Sequence, residues 1–377
     1  MNARRDFLRA SSAAGAAVVG GIALVGCASQ AALPPAWRPS PGEPSVARVP
    51  VSVGGQRVRT IDVHAHCYIP EALALLGAAE AKATLPPVRG QQEHFIVVAE
   101  RLAAMDAMGI DMEVLSINPF WYRQSRENVE AICRLQNEKM AELCRQRPDR
   151  FGAFASLALQ FPDLAVAQLE DAVKRLGLLG AAIGGSVAGE DFSEPRFHPV
   201  WAKAEELGVT LFIHPQSTPE LAKRFKGNGW MSNVIGNPLD TTIALQHFIY
   251  EGVLDKFPRL KICAAHGGGY LGMNAPRMDF SCYVSPANCN PAIVLKKRPS
   301  EYIRQLYFDA LVFTPEALRH LVAEVGVSQV VLGTDHPIPW ETHPVDHVMN
   351  TPSLSDADRV AILGGNAARM LGLRPGG

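Results

Sequence analysis

Thr60-Ile61-Asp62-Val63-His64-Ala65-His66 decides the reading of this 377-residue chain. Side chains on a strand alternate sides, so residues two apart share a face. An apolar strand closing in His-x-His therefore aims two imidazoles at one point, which suits a divalent metal. Two histidines alone do not hold a catalytic ion, and a pair of ordinary hydrogen-bonded histidines is the other reading. The choice turns on whether further ligands arrive at the ends of other strands.

Eight short apolar runs follow one another, centred on Val63, Val114, Phe154, Ile183, Phe212, Cys263, Phe308 and Leu332. Stretches such as Val209–Ile213 and Gln329–Gly333 are continuously apolar, as strands covered on both faces of a parallel sheet are. Helical patterns separate them. Ala99–Met108 stops at Gly109, Arg126–Arg147 before Pro148, Asp163–Leu176 at Gly177 and Pro199–Leu207 at Gly208. Glycine just past the last helical residue is a common stop. This alternation predicts an α/β fold, a distorted (β/α)8 TIM barrel. A doubly wound open sheet is the alternative, weakened by the absence of a glycine-rich phosphate loop after the first strand. Residues 67–95 lack periodicity and are expected to form a flap over the barrel mouth. Tyr270–Ser300 reads as a second long loop.

Barrel chemistry sits where the carboxyl ends of the strands converge. Strand one ends at His64 and His66, strand five at Phe212-Ile213-His214, strand six at Ala265-His266 before three glycines, and strand eight at Gly333-Thr334-Asp335-His336. His64, His66, His214 and Asp335 are the expected metal shell. Three imidazoles and a carboxylate suit one divalent ion, zinc first, with manganese or iron left open. Strand four, Ala181–Gly185, offers no lysine to bridge a second ion. His266 reads as a general acid/base beside the metal; a fifth ligand or a structural histidine are its other readings. His336 would point away from Asp335 and reads as a supporting or ordinary residue.

The first 27 residues are not read as fold. Arg4-Arg5-Asp6-Phe7-Leu8-Arg9 followed by the apolar Ala13–Gly26 has the form of a twin-arginine export signal. The apolar part is shorter than the roughly 20 residues of a membrane span. Leu24-Val25-Gly26-Cys27 resembles a lipobox, so Cys27 is the expected lipidation site, against ordinary cleavage a few residues later. Export to the periplasm or another extracytoplasmic face, with a lipid anchor, follows. Residues 28–50 hold six prolines and read as an extended tether. The folded domain is assigned to 51–377. Of seven cysteines, Cys133 and Cys144 lie about 16 Å apart on one helix and cannot bridge, while Cys282 and Cys289 are the plausible pair. The net charge of −1 with no basic run argues against a nucleic-acid partner.

These motifs resemble the amidohydrolase superfamily, in its branch of metal-dependent decarboxylases of the aminocarboxymuconate semialdehyde type. The resemblance rests on Ile61–His66, Met105–Ile110, Phe212–Pro215, Asn237–Ala244, Ala265–Gly269, Leu332–Pro337 and Gly365–Leu373. It implies zinc on His64, His66, His214 and Asp335, and His266 as the catalytic acid/base. It also implies a homodimer in which Arg277 reaches the neighbouring subunit's site, Arg89 as a second carboxylate-binding arginine, and Trp230 as a pocket aromatic. Arginine forks suit planar carboxylates. A solvated loop role for Arg89, a structural salt bridge for Arg277 and a plain core role for Trp230 stay open. The resulting expectation is non-oxidative decarboxylation of a small unsaturated or aromatic carboxylic acid. A metal-dependent hydrolase of a lactone, ester or amide is the alternative, because hydrolases share the scaffold. A non-enzymatic metal-binding lipoprotein is the third reading, and a histidine spare of ligand duty argues against it.

Overall fold

The computed structural model describes residues 48–78, 81, 84, 98–216 and 218–374. Cys27 and Arg89 lie outside the described residues, as does most of the expected flap. The export signal and nearly all of the tether do too. Among the described residues no helix is long and apolar enough to cross a membrane.

The eight apolar runs become eight parallel strands. They are β1 (Ile61–His66), β2 (Met112–Ser116), β3 (Phe151–Ala153, continued by Ala155–Ser156), β4 (Gly180–Ile183), β5 (Thr210–Ile213), β6 (Lys261–Ala264), β7 (Tyr307–Asp309) and β8 (Val330–Val331). Neighbours in sequence pair in register from β1 to β3 and from β3 to β8. The first and last strands also meet. Val63 N donates to Leu332 O at 3.0 Å, Asp335 N to His64 O at 2.8 Å and His66 N to His336 O at 2.6 Å. These bonds close the ring.

Helices fill the connections: α1 (Pro70–Leu76), α2 (Val98–Met108), α3 (Arg126–Gln146), α4 (Pro162–Lys174), α5 (His198–Leu207), α6 (Asn237–Tyr250), α7 (Leu271–Met278) and α8 (Pro315–Val325). The N-cap of α3 is Ser125, whose side chain accepts from Asn128 N. Gly208 ends α5 in the left-handed conformation, φ 66°, that glycine adopts without a Cβ penalty. Tyr270–Ser300 is not one loop. Leu271–Met278 is helical despite Pro276, and a further short helix spans Ser281–Val284; the prolines disguise the helix in the sequence. Cys282 and Cys289 form the expected disulfide.

Two apolar clusters result. The inner one joins Ile61, Val63, Met112, Val114, Phe154, Phe212, Cys263 and Val331 inside the ring. The outer one lies between strands and helices and contains Ala65, Leu115, Trp201 and Phe248. One irregularity positions the site. The pairing of β1 with β2 slips by a residue between Asp62 and Ala65. Strict alternation would put His64 and His66 on the face opposite Ile61 and Val63. The bulge resets the parity, so the apolar pair fills the barrel floor while the two histidines face its mouth.

Candidate metal centre

The strand ends converge as the barrel requires. One ligand atom each from His64, His214, His266 and Asp335 lies within 4.8 Å of the others. His66 joins the same group: its Nε2 is 2.8 Å from Asp335 Oδ1 and 3.2 Å from His64 Nε2. His64 Nε2 stands 3.3 Å, His214 Nε2 4.0 Å and His266 Nε2 3.7 Å from the Asp335 carboxylate. The His66 and His214 rings meet edge to face with centroids 4.4 Å apart. All five expected residues are therefore brought together. The geometry admits either His66 or His266 as the last imidazole of the shell.

The backbone works to present them. His266 and Asp335 both adopt positive φ, 56° and 64°, which non-glycine residues rarely do. Such strain persists where the surroundings over-determine it, and it clusters at functional sites. Gly333 packs against both sides of the site, since a Cβ there would sit 2.6 Å from Asp309 Cβ and 3.0 Å from His64 Cβ.

The donor set fits a cation. Both ring nitrogens of His214, and Nδ1 of His266, are buried with no hydrogen-bond partner among the described residues. Burying an imidazole without a partner is costly, and a cation at the centre of the group would satisfy one of the two His214 ring nitrogens. The ionisation states agree. Burial, with the neighbouring His66 and His64, holds His214 well below its usual range, and burial lowers His66 as well, so both stay neutral and able to ligate. Burial raises the Asp335 carboxyl, but His64 and hydrogen bonds from His266 and His64 outweigh it and leave it far below the usual range. Burial would lower His64, yet the Asp335 and Asp309 carboxylates push it up to about 10. The centre is built to surround positive charge.

Supporting contacts fix which nitrogens point inward. His64 Nδ1 lies 2.6 Å from Asp309 Oδ2, and His66 Nδ1 3.1 Å from Ser116 Oγ. Each leaves Nε2 for the centre, the arrangement by which outer residues orient metal-binding histidines. Asp309 also accepts from the backbone N–H of His266 at 2.9 Å and of Gly267 at 2.8 Å. Sequence reasoning missed Asp309. Its signal was available, because the run centred on Phe308 ends in it, at the mouth end of strand seven.

A second buried network was also missed. Glu113 and Asp62 have the opposite parity to Val114 and Val63, so they face the helix side of the ring. Glu113 Oε1 accepts from His336 Nδ1 at 2.6 Å and Oε2 pairs with Arg101, which also donates to His66 O. Burial favours a neutral Glu113, but Arg101 and then His336 bring it down to about 2. His336 thus supports the site from behind, as its place after Asp335 predicts. Asp62 accepts from His64 N at 2.9 Å and from Thr334 Oγ1 at 2.6 Å, which ties strand one to strand eight.

The resemblance-derived substrate residues are placed less tightly. Trp230 is 38% exposed, so it is not plain core; it stacks on Trp340 with centroids 6.0 Å apart. Arg277 is exposed on α7, and among the described residues it forms no ion pair.

Residues 61–373 match the amidohydrolase family, and the chain belongs to it. It falls among the family's metal-dependent decarboxylases, as three relatives show. It is 32% identical over 278 residues to 2-amino-3-carboxymuconate-6-semialdehyde decarboxylase of Dictyostelium discoideum, covering 73% of this chain and 76% of the relative. The crystal structure of 5-carboxyvanillate decarboxylase from Sphingomonas paucimobilis superposes with a TM-score of 0.77 at 26% identity, over 84% of this chain and 100% of that one. A dihydroxybenzoic acid decarboxylase from Polaromonas sp. JS666, solved with manganese and 2-nitroresorcinol, gives 0.72 at 25% identity over 84% of this chain and 97% of that one.

Proposed function

We propose that this chain decarboxylates a small aromatic or unsaturated carboxylic acid without redox chemistry. The observation that carries the reading is a histidine-rich, cation-shaped centre at the barrel mouth in a chain whose relatives are decarboxylases. His64, His66, His214 and Asp335 are assigned as ligands, and His266 as acid/base. A divalent ion held by these residues would supply a Lewis acid for negative charge developing on the substrate. The bond between the substrate carbon and its carboxyl carbon breaks, carbon dioxide leaves, and the electron pair stays on the substrate carbon. His266, with Nε2 turned towards Asp335, delivers the proton that this carbon takes up. Its position is held by Asp309 through the backbone. Ligand chemistry favours zinc; manganese, present in the Polaromonas relative, is the competing outcome of metal analysis.

A homodimer fits the exposed Phe280, Tyr283 and Val284, which follow Arg277 on the surface. An anionic substrate reached by the partner's Arg277, and by Arg89, is part of the same reading. Trp230 is assigned to the pocket wall. Export fits the twin-arginine start, and the Cys282–Cys289 disulfide suits an oxidising compartment. Mass spectrometry of the mature N-terminus reads a diacylglyceryl group on Cys27 or its absence.

The deciding experiment assays the metal-quantified protein against hydroxybenzoates, carboxyvanillate and unsaturated diacids, alongside lactones and esters. Stoichiometric carbon dioxide with no added cofactor is the expected result. Release of an alcohol, amine or ring-opened acid without carbon dioxide replaces decarboxylation with hydrolysis.

A further inference from the structure

His64 and His66 each have an outer side chain that fixes the ring, Asp309 through Oδ2 and Ser116 through Oγ. His214 has none. Both of its ring nitrogens lack a hydrogen-bond partner among the described residues. The direction of the ring therefore rests on its packing against the neighbouring imidazoles and on the backbone that carries it. That backbone is held at two points. On the strand side His214 N donates to Ile183 O at 2.9 Å. On the far side Pro215, whose own ring restricts φ, links His214 to Gln216, and Gln216 N donates to Asp240 Oδ2 at 2.9 Å. Asp240 is buried in the first turn of α6. Its carboxylate also presses on the end of β4. A Cβ on Gly185 would sit 2.2 Å from Asp240 Oδ2, 2.3 Å from Cγ and 2.5 Å from Oδ1. Only a glycine there lets the carboxylate in. The end of β4 is itself anchored, because Gly184 N donates to Tyr122 Oη at 3.3 Å.

We infer that Asp240 is a positioning residue for the metal centre. Its carboxylate is wedged between the anchored end of β4 and the Pro215–Gln216 turn, and so sets the direction in which His214 enters the ligand shell. Asp309 and Ser116 do this for the other two imidazoles by touching their rings; Asp240 does it through two residues of backbone and is not a catalytic residue. Gly185 belongs to the same device, since any larger residue would push the carboxylate off Gln216 N. This role rests on the proposed assignment of His214 as a ligand. An outer partner of a metal-binding histidine is worth about 10–100-fold in metal affinity, and one that acts through backbone belongs at the lower end of that range.

The test uses the full-length protein loaded with cobalt(II), whose visible spectrum reports ligand geometry and whose affinity is read by chelator competition. Asp240→Ala is expected to bind cobalt about tenfold more weakly and to change the band intensities. Asp240→Asn, which retains a carbonyl acceptor for Gln216 N, is expected to recover most of both. Gly185→Ala reaches the same contact from the other side. By displacing the carboxylate it should weaken cobalt binding to a similar degree, yet add nothing in the Asp240→Ala background, where the carboxylate is gone. Thermal unfolding of the metal-free proteins separates a purely structural role. A lowered midpoint with affinity and spectrum at wild-type values overturns the inference, as does a Gly185→Ala effect that is equal in the two backgrounds. Should Asp240→Ala fail to fold, the affinity and spectrum of Gly185→Ala alone decide between the same two outcomes. His214→Ala is run alongside. Wild-type affinity in that variant rejects His214 as a ligand, and the role of Asp240 with it; loss of affinity there but not in Asp240→Ala rejects Asp240 alone. None of these readouts needs turnover, so failure of the decarboxylase reading leaves the role of Asp240 standing.

Discussion

Replacing Asp309 by Asn changes one oxygen into an amino group at the hub behind the centre. Asp309 Oδ2 takes His64 Nδ1 at 2.6 Å and His266 N at 2.9 Å, while Oδ1 takes Gly267 N at 2.8 Å and Leu311 N at 3.2 Å. All four partners are donors. Whichever way the new amide turns, its NH2 group faces two of them and both bonds are lost. An unsatisfied buried donor costs about 1–3 kcal/mol, so roughly 2–6 kcal/mol is divided between fold and site. Losing an outer partner of a metal-binding histidine typically weakens the metal 10–100-fold. Chelator competition on the purified variant, beside thermal unfolding of the metal-free protein, reads the two shares separately. The expected result is at least tenfold weaker metal binding together with a lower midpoint. Metal affinity within twofold of wild type, with an unchanged midpoint, refutes Asp309 as the hub.

His266→Ala is expected to abolish carbon dioxide release with metal content unchanged; loss of the metal in that variant makes His266 a ligand instead. Gly333→Ala forces a Cβ against Asp309 and His64 and lowers metal occupancy, read by elemental analysis. Glu113→Gln tests the supporting network by its pH dependence. The carboxyl is brought down to about 2 in the fold, against 4.5 unfolded, so its stabilisation is complete above 4.5 and fades as pH falls towards 2. Wild type should therefore exceed the variant in urea midpoint at pH 7, and the gap should narrow in acid; a gap constant with pH counts against the ion pairs. Trp201→Ala empties the core contact among Phe192, Phe197 and Phe248 and should cost about 3–5 kcal/mol, with metal binding preserved once folded.

The barrel, and the meeting of the five central residues at its mouth, were legible because four of the eight apolar runs end in a histidine or aspartate of that group. That rule holds for His214, His266 and Asp335 even though the last two lie beyond their strands on strained backbone. That His64 and His66 face one point follows from alternation only in part. Alternation places His64 with His66, but the bulge that turns them towards the same interior as Val63 leaves no mark in the composition of Ile61–His66. Asp309 carried the strand-end signal, but a single carboxylate closing Tyr307-Phe308-Asp309 has no neighbouring histidine in sequence to mark it. Glu113 was invisible for a physical reason. A charge inside the apolar Met112–Ser116 is tolerable only beside Arg101 and His336, and those partners come from sequence-distant elements. Helix α7 was hidden by Pro276.

The hydrogen bonds between Val63 and Leu332, and between His64 and Asp335, have a consequence for biosynthesis. A polypeptide emerging from the ribosome exposes its first two histidines long before the aspartate they need has been made. Until the final strand is released, the half-built centre can bind a cation only weakly and with the wrong geometry. With the proposed ligand set, ion insertion is a late event, after translation has finished, and a product truncated anywhere before Asp335 is expected to be metal-free however well its earlier segments fold.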